Sequence, residues 1–582
     1  MSRLNQKIFL QNHVVRNNLI FVLTPLIIFL TCPATLLYAQ DSIRIAIPDS
    51  KNDFYLPDSS EGRAHPGFDN VSKLHRTFFG ENYRKEWNAE TRLPVIRLST
   101  FQGGLKVKKQ GGGNQTHTLR MEDKNGQEWV VRSVEKYPET ILPAYLKKTF
   151  VKDIVVDAMS AQHPYSALVV PPIAHAVGVP HAVPVIGIIA PDSVLGSYSK
   201  EFAGTICLVE EREPGGKSVN YFDLMASLNA DNDNSFDSTA FLKARILDVF
   251  IGDWDRHRDQ WRFMPQDQEK GVKYTAIPRD RDQVFYINQG VFPYFESRPY
   301  VQPFFEGFNP KIRSVGTLLF TSTLLNARFL NQCTYDEWMK ITNDFVAAVT
   351  DSVLEYAISQ LPASSYKLRH EELLRILKSR RADLPRAMSE YYYFLNKSVF
   401  IQTSDKGELF EIKDTLNGAM QVDIYKLSKQ AKVRQPLFSK TFFPAHTKEI
   451  RFFTGGGDDS VIINNQETPI RLRFSGYDGK KRYNMIASDK KVPVYERKYN
   501  TQFFGDTTRF KKHLSNDSSN TVIRPGNLFN AFTPFIDVGY NPDDGILLGF
   551  LGRFTRGIDY TTPVFGINRY TSYQQFSVLH SF

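Results

Sequence analysis

Residues 249–263 read VFIGDWDRHRDQWRF, which sets three aspartates, one histidine and three arginines between two apolar flanks. Charge this dense beside Trp254, Trp261 and Phe263 has three physical explanations: a solvated turn, a metal-binding loop, or a loop that carries catalysis. Upstream, Phe241, Leu242, Ala244, Ile246, Leu247, Val249 and Phe250 keep helical spacing, so a buried helix over 239–251 delivers the loop. A calcium loop starting at Asp253 fails on geometry. Its sixth position is Arg258, where the sharp turn needs glycine, and its twelfth is Met264, where a bidentate glutamate is needed. A solvated turn leaves the flanking tryptophans unexplained. It also leaves unexplained a second acidic cluster, Arg279-Asp280-Arg281-Asp282, at the end of the apolar strand predicted over 273–278.

Working outward, residues 91–137 alternate like strands. Glycines 103–104 and 111–113 punctuate them, and Lys124-Asn125-Gly126 predicts a hairpin turn. In the second strand of that hairpin Val130, Arg132, Val134 and Lys136 share a face. Residues 141–180 turn helical until Pro164, Pro171 and Pro172 break the pattern. Strands return at 183–190 and 204–214, helices at 219–231, and 317–397 is mostly helical. Past residue 400 short alternating strands take over, with turns at Gly455-Gly456-Gly457-Asp458-Asp459 and Gly476-Tyr477-Asp478-Gly479. The last fifty residues alternate again. The expected division is 1–40 leader, 41–90 lead-in, 91–400 a two-lobed domain (a small β lobe to about 212, a helical lobe after), 401–530 a β-rich module, and 531–582 a β tail.

Phosphoryl transfer asks a protein for few parts: a backbone cradle for phosphates, a cation on them, an acid that orients the acceptor hydroxyl, and oxygen ligands for magnesium. Each has a candidate. Gly111, Gly112 and Gly113 precede a hairpin and offer backbone N–H groups; Arg132 and Lys136 follow on the next strand. Glu210 and Glu211 end the strand where the chain crosses between lobes. Asp255 heads the charged loop, and Asp280 and Asp282 close the later strand.

The run I-G-D-W-D-R-H-x-D-Q with the later P-R-D-R-D resembles atypical kinase-like families: HipA, the CotH spore-coat kinases and the phosphatidylinositol kinases. That resemblance implies an α+β, bilobal protein-kinase-like fold. It makes Asp255 the catalytic acid, His257 a loop organiser, Gln260 an amide metal ligand, and Asp280 or Asp282 the second ligand, with ATP or a related nucleotide and magnesium as cofactors. Two letters depart from the pattern. Gln260 stands for the usual asparagine, one methylene further out, and Arg132 stands for lysine, a fixed fork rather than a compact charge. Both leave a non-enzymatic, pseudokinase-like binding or assembly module open beside an active phosphotransferase. A metal-dependent hydrolase using Asp253, Asp255, His257 and Asp280 is the remaining alternative.

A second resemblance spans the chain. GGLxxxKxGGGxQTxxLRxED, SAxHPYxAL, EEREPG and IGDWDRHxDQW are similar to a group of exported Bacteroidetes-type outer-membrane proteins. In that group a kinase-like segment precedes a BamA-type surface-antigen β-barrel. It implies that 531–582 holds the opening strands of such a barrel, short of a complete one, and that the outer membrane or a β-barrel is a partner. The leader fits export. Arg3, Lys7 and Arg16 precede the apolar run 19–30, and a small-residue end near Ala39 follows, so periplasm or outer membrane is the expected location. Removing those three cations lowers the net charge from +10 to about +7, with no basic block of the kind that binds nucleic acid. Two cysteines beyond the leader, Cys207 and Cys333, make no disulfide framework or zinc cluster.

Overall fold

The computed structural model describes residues 59–111, 115–142, 147, 150–298, 303–428, 431–521, 531–541, 545–556 and 572–581. The leader, much of the lead-in, and Gly112 and Gly113 lie outside the described residues. Within them the protein is a mixed α/β structure with several sheets.

The first sheet contains β1 (Ser59–Gly62), β2 (Thr91–Ile96), β3 (Lys106–Gln110), β4 (Thr118–Glu122), β5 (Glu128–Ser133), β6 (Val185–Ile189) and β7 (Ile206–Glu211), in the order β1-β2-β6-β7-β5-β4-β3. The β4–β5 turn falls where the sequence predicts it. Asp123 accepts from the backbone N–H groups of Asn125 and Gln127 at 2.8 and 3.0 Å, and Gly126 takes the positive φ of 82° that the turn requires. One face of the sheet buries Leu119, Met121, Val131 and Val209. Strand register puts Thr118, Arg132 and Leu208 in one row across the other face, and Arg120, Val130 and Glu210 in the next.

Helices dominate the region that follows, and one core joins them to Leu93, Ile186, Ile188 and Ile206 of the first sheet. The helix Ser238–Ile251 starts on Asp237, whose side chain accepts from the Ala240 N–H, and everything from Phe241 to Ile251 except Lys243 is buried. Gly252 ends it at φ 71°, its N–H turned back to Asp248 and Val249, and a Cβ there would stand 2.9 Å from Phe308. The core around it gathers Trp261, Phe263, Trp338, Leu377 and Met388. A small sheet lies alongside: β8 (Ser235–Phe236) parallel to β10 (Val272–Pro278), which pairs antiparallel with β9 (Trp261–Asp267).

The region after the long helix Ala363–Asn396 is β-rich as expected, but its strands are largely parallel. They are β11 (Ser398–Gln402), β12 (Glu408–Asp414), β13 (Met420–Ser428), β14 (Ala431–Phe442), β15 (Glu449–Phe453), β16 (Asp459–Asn465), β17 (Arg471–Ser475), β18 (Lys481–Ser488), β19 (Val492–Glu496), β20 (Thr501–Gly505) and β21 (Phe510–Leu514). From β15 onward the chain alternates between two sheets, β11-β15-β17-β19-β21 and β14-β13-β12-β16-β18-β20. The result is a two-sheet parallel solenoid with the β13–β14 hairpin attached. Each coil sends Ile450, Phe452, Val461, Phe474, Tyr483 and their counterparts inward. The Gly455–Asp459 stretch is the corner between β15 and β16. The carbonyls of Thr454, just before it, and of Gly455 and Gly457 accept from the buried Lys481 ammonium at 3.1, 2.9 and 2.7 Å, and Asp459 pairs with the same group.

The solenoid docks on the helical lobe. Asn331 donates to the Phe400 carbonyl at 2.6 Å, and buried Lys440 donates to the Asn331 and Cys333 carbonyls at 2.8 and 2.7 Å. Cys207 and Cys333 are both free and buried. The tail contributes β22 (Ala531–Asn541), β23 (Gly545–Arg556) and β24 (Ser572–Ser581), a three-stranded antiparallel sheet. No helix among the described residues is long and apolar enough to cross a membrane.

Candidate functional site

The hairpin β9–β10 explains why two motifs separated in sequence meet in space. Register pairs Pro278 with Trp261, so the chain leaves the loop at Gln260 and returns beside it at Arg279, whose N–H donates to the Gln260 carbonyl at 2.9 Å. The loop 252–260 and the segment 279–282 therefore form one surface.

Arg256 holds that surface together. Its guanidinium is fully buried and donates to the carbonyls of Arg279, Asp280 (3.1 Å) and Gln260 (3.1 Å). It lies 4.9 Å from the centre of the buried Trp261 ring and 3.6 Å from both Asp248 and Asp253. Arg281 bridges the same two aspartates, at 2.8 Å to Asp253 and in contact with Asp248. The crowding of charge in the sequence thus separates into a buried network (Asp248, Asp253, Arg256, Arg281) and an outer set. Asp253 gives its Oδ2 to Arg281 within the network, and among the described residues no three His, Cys, Asp or Glu side chains gather around a metal position as the hydrolase alternative needs. Arg258 lies 4.7 Å from the Phe222 ring centre. Trp254 packs against Phe304, Phe305 and Tyr286.

From the other side of this surface, the first sheet supplies the cations. Arg132 on β5 pairs with Asp280, and Lys136 just beyond it pairs with Asp282. Asp280 sits at φ 58°, a left-handed conformation that a non-glycine residue rarely takes and that recurs at functional sites. Burial alone would raise the Asp280 pKa. Arg132 first, then Lys136, and a hydrogen bond from the Gln260 side chain bring it down to about 2. Asp255 lies half-buried on the loop. Enclosure raises its pKa, His257 opposes the rise, and Asp282 and Asp280 add to it. Asp255 therefore holds a proton more readily than a free aspartate, in electrostatic reach of both metal-ligand candidates.

Glu210 extends the cation–acid row. Its pKa is raised by burial, with Arg132 pulling it back. Glu211 is half-buried at the end of β7, opposite Trp129, and the next residues lead across to the helix Tyr221–Ala230. His257 is partly exposed and its Nδ1 accepts from the Asp259 N–H at 3.3 Å, which shapes the short turn that presents Gln260. Gly111 donates to the Thr118 carbonyl at 2.7 Å, and a Cβ there would stand 2.6 Å from Thr118 Cγ2, so the mouth of this hairpin needs glycine. Asp157 pairs with Arg84 at 2.6 Å and His75 at 3.0 Å. His163 is buried against Tyr83, as a packed histidine should be.

Sequence reasoning passed over Asp248 and gave Arg281 no role. The available signal was Asp248 itself, a carboxylate on an otherwise apolar helix that could not be buried without a partner.

No protein-family model matches the chain, and no curated protein sequence matches it. Among solved structures it is similar to the Helicobacter pylori proinflammatory kinase CtkA, at 12% identity and a TM-score of 0.27, covering 51% of this chain and 98% of that one. It is also similar to the Rio2 kinase of Chaetomium thermophilum, solved as an ADP/Mg2+-phosphoaspartate complex. There the identity is 14% and the TM-score 0.23, covering 46% of this chain and 72% of that one.

Proposed function

We propose that the two lobes form a kinase-like unit that binds a magnesium nucleotide in the cleft and moves a phosphoryl or nucleotidyl group to an acceptor hydroxyl. The observation that carries this reading is the meeting of Arg132 and Lys136 from one lobe with Asp280, Asp282, Gln260 and Asp255 from the other. The parts also follow one another along the chain in the order the kinase-like resemblance implies: glycine hairpin, cationic strand, lobe crossing, acid loop, acidic strand end.

The donor set fits magnesium, which takes hard oxygen ligands and keeps company with phosphates. Gln260, Asp280 and Asp282 would hold it, and the bound ion would neutralise phosphate charge. Arg132 and Lys136 now spend their charge on Asp280 and Asp282, and phosphate oxygens compete for those cations. Asp255 accepts the acceptor's proton at its carboxylate, a role suited to an acid whose proton affinity is raised. Arg256 fixes the backbone on which Gln260 and Asp280 stand.

The same ion pairs favour a second reading. Arg132–Asp280 and Lys136–Asp282 already satisfy one another, and Gln260 sets its amide further out than asparagine, so the cleft also suits a binding module without turnover. In either case we place the protein outside the cytoplasm, at the outer membrane, with β22–β24 pairing with a barrel partner. Asp255→Asn in the full chain separates the readings. An enzyme keeps nucleotide binding and loses transfer, whereas a binding module shows no transfer to lose.

A further inference from the structure

On the face of the first sheet that bears Arg132, three rows of side chains follow one another. Thr118, Arg132 and Leu208 form the first, Arg120, Val130 and Glu210 the second, and Glu122 with Glu128 the third. The outer rows are neutralised. Arg132 pairs with Asp280, Lys108 pairs with Glu122 and Glu128 at 3.2 and 2.8 Å, and Arg212 pairs with Glu128.

The middle row is not. Among the described residues no carboxylate lies within ion-pair range of the Arg120 guanidinium, and the Glu210 carboxylate has neither an ion pair nor a hydrogen bond. The β9–β10 hairpin brings in a third uncommitted group. Arg279 has its backbone fixed by Gln260 and Arg256, while its guanidinium pairs with no acid, and Arg212 and Glu210 are the charges that act on it most strongly. Nearby Glu213 is engaged by Arg212 and Arg262 at 3.2 and 2.8 Å. Arg120, Glu210 and Arg279 are each half-buried, and Val130 between Arg120 and Glu210 is buried. Charged groups drawn partly out of water without partners are costly, so their grouping around an apolar floor marks a ligand position.

That ligand must offer acceptors to the arginines and donors to the glutamate. A bare anion satisfies the arginines but is repelled by Glu210. Adenine sets its N6 amine beside N7, so a guanidinium fork meets a donor. Guanine sets O6 beside N7, two acceptors that a fork takes together, and N1–H beside the N2 amine, two donors that a carboxylate takes together. Successive rows are about 7 Å apart, so a base on the middle row leaves its phosphates beside Arg132.

We propose, resting on the magnesium-nucleotide reading of this site, that the base it selects is guanine, with O6 and N7 held by Arg120 and Arg279 and the N1–H and N2 amine by Glu210. Calorimetry on the full-length protein with magnesium and non-hydrolysable triphosphate analogues of guanosine, inosine and adenosine tests this. The guanosine analogue should bind at least tenfold tighter than the adenosine analogue, with the inosine analogue, which lacks the N2 amine, in between. Arg120→Gln should narrow the guanosine-to-adenosine ratio to less than threefold with unchanged thermal unfolding. Glu210→Gln should bring guanosine and inosine within twofold of each other. Equal or tighter binding of the adenosine analogue overturns the guanine assignment and leaves the magnesium-nucleotide reading standing. So does an Arg120→Gln that weakens all three analogues equally. Absence of binding by all three at millimolar concentration overturns both.

Discussion

Arg256 gives the sharpest test of how the cleft is built. Methionine at this position keeps most of the side-chain length and removes the guanidinium. Three carbonyls, those of Gln260, Arg279 and Asp280, lose a charged donor; Asp248 loses one of three cations, keeping Arg245 and Arg281, and Asp253 loses one of two. Removing one partner of a buried ion pair costs about 3–5 kcal/mol. Arg281 still serves both aspartates, which places Arg256→Met near the lower end, about 3 kcal/mol. All five tryptophans (Trp87, Trp129, Trp254, Trp261 and Trp338) precede the solenoid. Their fluorescence during urea unfolding therefore reports the two lobes without the β module. Arg256→Lys should fall between wild type and Arg256→Met, because an ammonium reaches fewer of the three carbonyls at once. A loss below about 1 kcal/mol, the level of a surface pair, would refute the claim that this guanidinium joins the two motifs.

Three further outcomes are expected from the same structure. Gly252→Ala places a side chain at φ 71° and against Phe308, and should cost about 1–2 kcal/mol in the same fluorescence assay. Asp280→Asn removes the carboxylate that Arg132 and Gln260 both engage, and should weaken magnesium-dependent nucleotide binding at least tenfold by calorimetry. In the solenoid, burial and then Asp459 raise the Glu408 pKa from 4.5 to about 8. The folded state keeps a proton that the unfolded chain releases, so stability is greatest below 4.5 and falls as pH rises toward 8. The slope is at most about 1.4 kcal/mol per pH unit. Hydrogen exchange of peptides covering β12 at pH 6 and pH 8, corrected for intrinsic rates, should show this loss in wild type and little of it in Glu408→Gln.

The strands and helices of the two lobes were legible because their periodicities are strong and their turns carry the residues the turn types demand. The β4–β5 turn and the helix end at Gly252 are examples. The pairing of loop 252–260 with 279–282 was legible as chemistry, from Asp255, Gln260, Asp280 and Asp282. The device that enforces it was not, since hairpin register and a buried arginine act through backbone carbonyls that leave no mark in a motif. The solenoid was read as β-rich but its parallel order was not. Its coils share shape rather than letters, and only the spacing of EIRFF at 449–453 and RLRFS at 471–475 betrays the repeat.

The central claim is that Asp280, Asp282 and Gln260 face Arg132 and Lys136 in order to hold a magnesium nucleotide. Titrating the full-length protein with a non-hydrolysable ATP analogue, with magnesium and then with EDTA, tests it most directly. The account predicts saturable binding below millimolar concentration that requires magnesium and is lost in Asp280→Asn. No binding at millimolar nucleotide, or equal binding with EDTA, contradicts it.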